Sequence, residues 1–283
     1  VEPGYVSFPG RTVIAARSTR AALEKALELL DMVAEIRGTS PTAEFYLSDL
    51  KPHEQARWVQ NLKDRTSHSE SDRCSYVTLL DTGVNSSHPL LAPHLHVDDR
   101  HAVHANWGTT DHDGHGTGMA GLCLHGDLTG PLSTELTNDI PHRPESVKIL
   151  PPTGQNAPHL YGWVSSEATR KVEAAKGERK RTYAMMTTAI GKTTGLPSEW
   201  SASIDAMAFG LNGGESYKVG IPVFDTKVAS LKRRLFVISA GNVPWNLWNN
   251  YPTQNDLFEV ENPGQAWNAI TVGACTDLVG IDG

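Results

Sequence analysis

Residues 111–121 read Asp-His-Asp-Gly-His-Gly-Thr-Gly-Met-Ala-Gly. A polar lead-in gives way to His115, then to small residues running into Leu122, Cys123 and Leu124. This order predicts a loop that delivers a histidine on the first turn of a buried helix. Gly116, Gly118 and Gly121 would let that helix approach a neighbouring backbone closely. An imidazole suits proton transfer there, because its unperturbed pKa of about 6.5 lies near neutrality. Two more stretches carry polar groups at the ends of apolar runs. Asp81 follows Tyr76-Val77-Thr78-Leu79-Leu80 and precedes Thr82-Gly83, and Asn242 follows Val237-Ile238-Ser239-Ala240-Gly241.

The elements that must position these groups read as an alternating pattern. The run ending at Asp81 predicts a buried parallel strand with the carboxylate at its carboxyl end. Further strands are expected at Val147–Leu150, Thr182–Thr187, Leu235–Ser239 and Ala269–Ala274. Helices are expected after His115, at Leu160–Ala175, at Glu199–Leu211 and at Pro222–Lys232. Strands alternating with helices imply an α/β fold, a mainly parallel sheet with helices on both faces. Active sites in such sheets lie outside the carboxyl ends of the strands, where Asp81 and Asn242 fall.

Residues 1–70 read as a small α/β unit ahead of a larger domain over residues 74–283. Strands are expected at Tyr5–Phe8, Thr12–Ala16 and Glu44–Leu47. An amphipathic helix is expected at Ala21–Arg37, with Leu23, Leu27, Leu30 and Val33 on one face. A second helix at Pro52–Asp64 would turn Trp58 and Leu62 inward. Thr66–Arg73 reads as a polar linker. An inhibitory pro-region, a partner-docking module and a part of the main fold are all open for this unit.

The 283 residues carry 25 basic and 32 acidic side chains, a net charge of −7 that offers no footprint for nucleic acid. No apolar run approaches the roughly 18–20 residues that span a bilayer. The three cysteines, Cys74, Cys123 and Cys275, are an odd count that argues against a disulfide framework and favours a reducing, cytoplasmic setting. A chain starting at Val1 leaves a removed signal peptide, and secretion, open.

The three polar stretches, taken in order, resemble the subtilisin-like serine peptidases, the subtilase family. Val147-Lys148-Ile149-Leu150 and the segment Asn262 to Ala274 are similar to further strands of that family. The resemblance covers roughly Val77 to the C-terminus. It implies that Asp81 orients His115, that His115 is the general base, and that the Asn242 amide donates to an oxyanion. It also implies that Met186-Thr187-Thr188 forms an edge for substrate backbone and that Ala240-Gly241 lies beside the substrate. The substrate would be a protein or peptide, with no cofactor and no metal required. Gly118 stands where the family commonly has a second histidine. The family's nucleophile sits in a Gly-Thr-Ser-x-Ala segment after the asparagine, and residues 243–283 contain no serine. The chain is therefore expected to stop before the nucleophile and to be inactive by itself. Gly38-Thr39-Ser40-Pro41 precedes Asp81 and reads as a loop. A homologue that binds peptides without cleaving them is the alternative.

Other readings of the same residues are weaker. Asp81-Thr82-Gly83 fits one half of an aspartic peptidase, but it occurs once, in a chain of α/β pattern. Gly116 to Gly121 satisfies a dinucleotide-binding spacing without the preceding strand that motif needs. His94, His96, His101 and His104 match no recognised metal-ligand spacing. Trp245, Trp248 and Tyr251 could line a cleft or pack locally.

Overall fold

The computed structural model describes residues 5–14, 18–19, 21–22, 33, 43–68, 74–190, 195–211, 232–250 and 253–274. The chain divides into two compact units, Val1–Pro41 and Thr42–Gly283. In the first, β1 (Tyr5–Phe8) and β2 (Arg11–Ile14) form an antiparallel hairpin, with Gly10 at φ 85° in the connection. The expected helix at residues 21–37 and the loop around Ser40 lie largely outside the described residues, as does the expected helix at residues 222–232.

The second unit opens with a helical turn at Phe45–Asp49, where a strand is expected. No described strand flanks this segment. Its aromatic residues instead cluster edge-on, with Trp58 against both Phe45 and Tyr46. Gln55 donates to the Tyr46 carbonyl at 2.9 Å, which fixes the turn to helix α1 (Pro52–Asp64). Leu62 is fully buried and Trp58 partly so. The stretch read as a linker begins with a strand, β3 (Thr66–His68), which pairs in parallel with β6 (Asn138–Ile140).

Among the described residues the main sheet has six strands, all parallel: β4 (Ser75–Asp81), β5 (Arg100–Ala102), β7 (His142–Lys148), β8 (Arg181–Met185), β9 (Leu235–Ser239) and β10 (Ile270–Val272). Their order is β10-β9-β8-β4-β7-β5, so β4 is central. Side chains alternate across the sheet. Leu80, Val147, Met185, Phe236 and Ile238 enter one core with helices α4 (Tyr161–Ala175) and α5 (Glu199–Phe209). Leu79 enters the other core with Ala120 and Leu124 of α2 (His115–His125). Two short helices among the described residues are α3 (Thr129–Leu132) and α6 (Thr253–Leu257). An all-parallel sheet covered on both faces explains why β4 carries nearly continuous burial rather than alternation.

Strand β7 starts five residues earlier than the expected Val147. Its first half, His142-Arg143-Pro144-Glu145, is polar, but Glu145 is buried as the partner of two arginines. Arg181 Nε donates to Glu145 at 2.7 Å and Arg179 at 2.9 Å, and Thr78 Oγ1 donates to it at 2.8 Å. Pro144 sits where β4 alone flanks β7, since β5 pairs only from Ser146 onward. A one-sided strand tolerates a residue without an N–H.

Candidate active site

Asp81 is the last residue of β4, and His115 is the first residue of α2. His115 Nδ1 lies 2.8 Å from Asp81 Oδ1 and 3.0 Å from Oδ2. The carboxylate is 1% exposed whereas the imidazole is 40% exposed, so the pair is buried on one side and open on the other. Asp81 Oδ1 also accepts from the Thr82 N–H at 2.7 Å. A buried carboxylate that accepts from a backbone amide stays an acceptor for the ring N–H. This fixes the imidazole so that Nε2 is the nitrogen left for other partners.

The close approach depends on one glycine of the three. A Cβ on Gly116 would stand 2.2 Å from the Gly83 carbonyl and 3.0 Å from Thr82 Oγ1. Gly118 and Gly121 have open space where a Cβ would go, so they do not serve contact with a neighbouring backbone. Nor is α2 buried throughout: Leu122 is 55% exposed, and the buried positions are Gly116, Ala120, Leu124 and His125. Cys123 is partly buried, and burial pushes its thiol up to about 11, which keeps it protonated and unreactive.

Asp111 organises the loop before His115, a role the sequence reading missed. Its Oδ1 accepts from the Asp113 and Gly114 amides at 3.0 and 2.9 Å and from Thr82 Oγ1 at 2.8 Å. Its Oδ2 accepts from the Thr117 amide at 2.8 Å and the Thr117 hydroxyl at 2.6 Å. Gly114, at φ 97°, provides no side chain to cap α2, so the first-turn amides are met from outside it, Thr117 by Asp111 and Gly116 by Thr82 Oγ1 at 2.9 Å. Burial would raise the Asp111 pKa, but the hydrogen bonds from Thr117, Asp113 and Gly114 hold it well below the usual carboxylate range. Lys148, buried at the end of β7 and level with Asp81, donates to the Thr110 carbonyl at 2.7 Å and secures the same loop. Burial lowers its pKa, and the nearby Asp111 charge opposes that. The sequence signal for this device is an acceptor side chain a few residues ahead of a capless, glycine-led helix start.

A cavity of about 810 Å³ opens at the carboxyl ends of the strands. Thr82, His112 and Asp113 line it from the histidine side, and Asn242, Thr187 and Thr188 line it from the β8 and β9 side. His115 is not among its lining residues. Asn242 is exposed and follows the turn Ala240-Gly241, with Gly241 at φ 107°. The Ala240 amide donates to the Val272 carbonyl at 2.9 Å. Met186 is partly buried against the α2 core. Just beyond Thr188, Ala189 pairs with Asn262 of this same chain in an antiparallel bridge. Trp248 is 66% exposed, donates to the Val243 carbonyl at 2.9 Å and is not among the residues lining the cavity. Tyr251 and Cys275 lie outside the described residues.

These features define a class: a parallel α/β protein with a carboxylate–imidazole pair beside a cavity at the carboxyl ends of its strands. The Subtilase family matches residues 73–278, and the chain belongs to that family of serine peptidases. The family match displaces the aspartic reading of Asp81-Thr82-Gly83. No curated protein matches the chain. Among solved structures, one described as a psychrophilic protease is similar over 78% of this chain, with 19% sequence identity and a TM-score of 0.41. The chain spans 61% of that structure's length.

Proposed function

We propose that this chain carries the Asp and His of an Asp-His-Ser triad that hydrolyses peptide bonds. The observation that supports it most is the 2.8 Å contact between buried Asp81 and half-exposed His115 at the end of the central strand. His115 takes the proton from a serine hydroxyl as that oxygen attacks the scissile carbonyl, then returns it to the leaving amine. Asp81 holds the ring in the productive tautomer and stabilises the imidazolium. The Asn242 amide donates to the oxyanion, a contact worth roughly 3–4 kcal/mol where water is excluded. The segments Met186-Thr187-Thr188 and Ala240-Gly241 border the substrate backbone. No cofactor enters these steps.

The nucleophile is the open place in this scheme. The second reading is a homologue whose cleft binds peptides without cutting them. A fluorophosphonate probe separates the two. The chain of 283 residues is expected to remain unlabelled, because none of its residues after Asn242 is a serine. The product of the complete gene is expected to be labelled stoichiometrically and to cleave a generic protein substrate. Failure of the complete product to label or cleave supports the binder. Labelling of the 283-residue chain overturns the assignment of the nucleophile to a later segment, with Ser40 the first residue to test.

A further inference from the structure

A second cavity, of about 460 Å³, opens at the amino ends of β8 and β9, the end of the parallel sheet opposite to Asp81 and His115. One wall is the loop from α4 into β8, residues 177–180, and the other is residues 232–234, which lead into β9. Six lining side chains are cationic, Arg179, Lys180, Arg181, Lys232, Arg233 and Arg234, and two are anionic, Glu173 and Glu178. In a chain of net charge −7 the sign is reversed here. The cations still outnumber the carboxylates when Asp99 and Glu145, which pair with Arg179 and Arg181, are counted. The six form two sets. Arg179, Arg181 and Arg234 are held in place by Asp99, Glu145 and Glu173, and the Arg181 and Arg234 side chains are 2% and 4% exposed. Arg181 keeps a spare donor, since its buried Nη1 has no hydrogen-bond partner among the described residues. Lys180, Lys232 and Arg233 are exposed and form no ion pair among the described residues. Lys232 Nζ donates to the Gly177 carbonyl at 2.5 Å, which fastens one wall to the other.

Cations converging from two walls repel one another, and a concave surface of one sign draws in ligands of the other. The fixed guanidinium groups need little further ordering to meet an anion. A ligand that reaches both walls must carry charge at more than one point, and phosphate oxygens accept from arginine and lysine together. We propose that this cavity binds a pyrophosphate group, with Lys180 on one wall and Arg233 on the other as its exposed contacts. The site lies apart from the peptide cleft and stands independently of the triad. A ligand that bridges the entries to two neighbouring strands binds the folded chain alone, so it raises the unfolding temperature.

The test is calorimetric titration of the 283-residue chain, at fixed ionic strength, with inorganic pyrophosphate, inorganic monophosphate, ADP and an acetylated tetra-aspartate peptide. Pyrophosphate should bind about tenfold more tightly than monophosphate, because it reaches both walls. In the double variant Lys180→Gln, Arg233→Gln that affinity should fall at least about tenfold, while the unfolding midpoint without ligand stays the same, since both side chains are exposed. Pyrophosphate binding more tightly than ADP supports the inorganic ion as ligand, and the reverse supports a nucleotide; either upholds the phosphate chemistry. Absence of pyrophosphate binding, equal affinity for monophosphate, or an affinity that survives the double variant overturns the inference. Tighter binding of the tetra-aspartate peptide than of pyrophosphate also overturns it, and assigns the cavity to an acidic protein segment.

Discussion

His115 Nδ1 lies within 3.0 Å of both carboxylate oxygens of Asp81, although the two residues belong to different elements 34 positions apart. The contact is set by backbone packing and not by the side chains reaching for one another. Strand β4 ends at Asp81, Gly83 turns away at φ 99°, and α2 begins on top of that turn because Gly116 has no side chain.

That packing makes two glycines in one helix behave oppositely. Gly116→Ala forces a Cβ to 2.2 Å from a backbone carbonyl, so α2 must shift. A loss of about 1–3 kcal/mol in unfolding free energy is expected from overpacking of this kind. Gly118→Ala, exposed and with open space, should gain about 0.5–1 kcal/mol through helix propensity. Urea denaturation of the two variants checks the pair; equal effects would show that Gly116 does not set the approach.

Asp111 should dominate the acid stability of the histidine loop. Its folded pKa is depressed, so its contribution is present above the unfolded value near 3.9 and is lost as pH falls toward the folded value. Asp111→Ala should cost about 2–3 kcal/mol at neutral pH by stranding the Thr117, Asp113 and Gly114 donors. Below about pH 4 the difference between the two proteins should shrink, because the unaltered carboxylate is then losing its advantage. Thermal melts between pH 7 and pH 3 measure this; a gap that widens in acid contradicts it.

Glu145 is fully buried among Arg179, Arg181 and Thr78. Glu145→Ala removes the shared anion and leaves Arg181, itself 2% exposed, without its counter-charge. The expected cost is about 3–5 kcal/mol, seen as a lower denaturation midpoint. A loss under about 1 kcal/mol would mean that the arginines find other acceptors.

The parts of the fold legible in the sequence are those where local pattern and burial agree. Tyr76 to Leu80 is apolar because both faces of β4 are covered, and α1 carries its signature in Pro52 and Glu54. Asp81 and His115 could be read because each ends or starts an element at a change from polar to apolar residues. Elements held by polar partners distant in sequence could not. The first half of β7 looks like a loop until Glu145 meets arginines more than thirty residues away, and β3 depends on Asn138–Ile140 for its ladder. Lys148 was missed for the same reason, since its role rests on the distant Thr110 carbonyl, whereas the contacts of Asp111 with Asp113, Gly114 and Thr117 are local and were legible in the glycine-led helix start. Glu44–Leu47 was misread because aromatic residues favour strands only when a sheet is there to receive them.

The central claim is that His115 is a general base oriented by Asp81, and one kinetic comparison tests it most directly. Turnover of a peptide substrate is measured for the complete gene product, for His115→Ala and for Asp81→Asn, with unfolding midpoints recorded alongside. Removing the base should cut kcat about a millionfold. Leaving the imidazole in the wrong tautomer should cut it about ten-thousandfold, with KM little changed in both. Full activity in a folded His115→Ala protein would contradict the assignment.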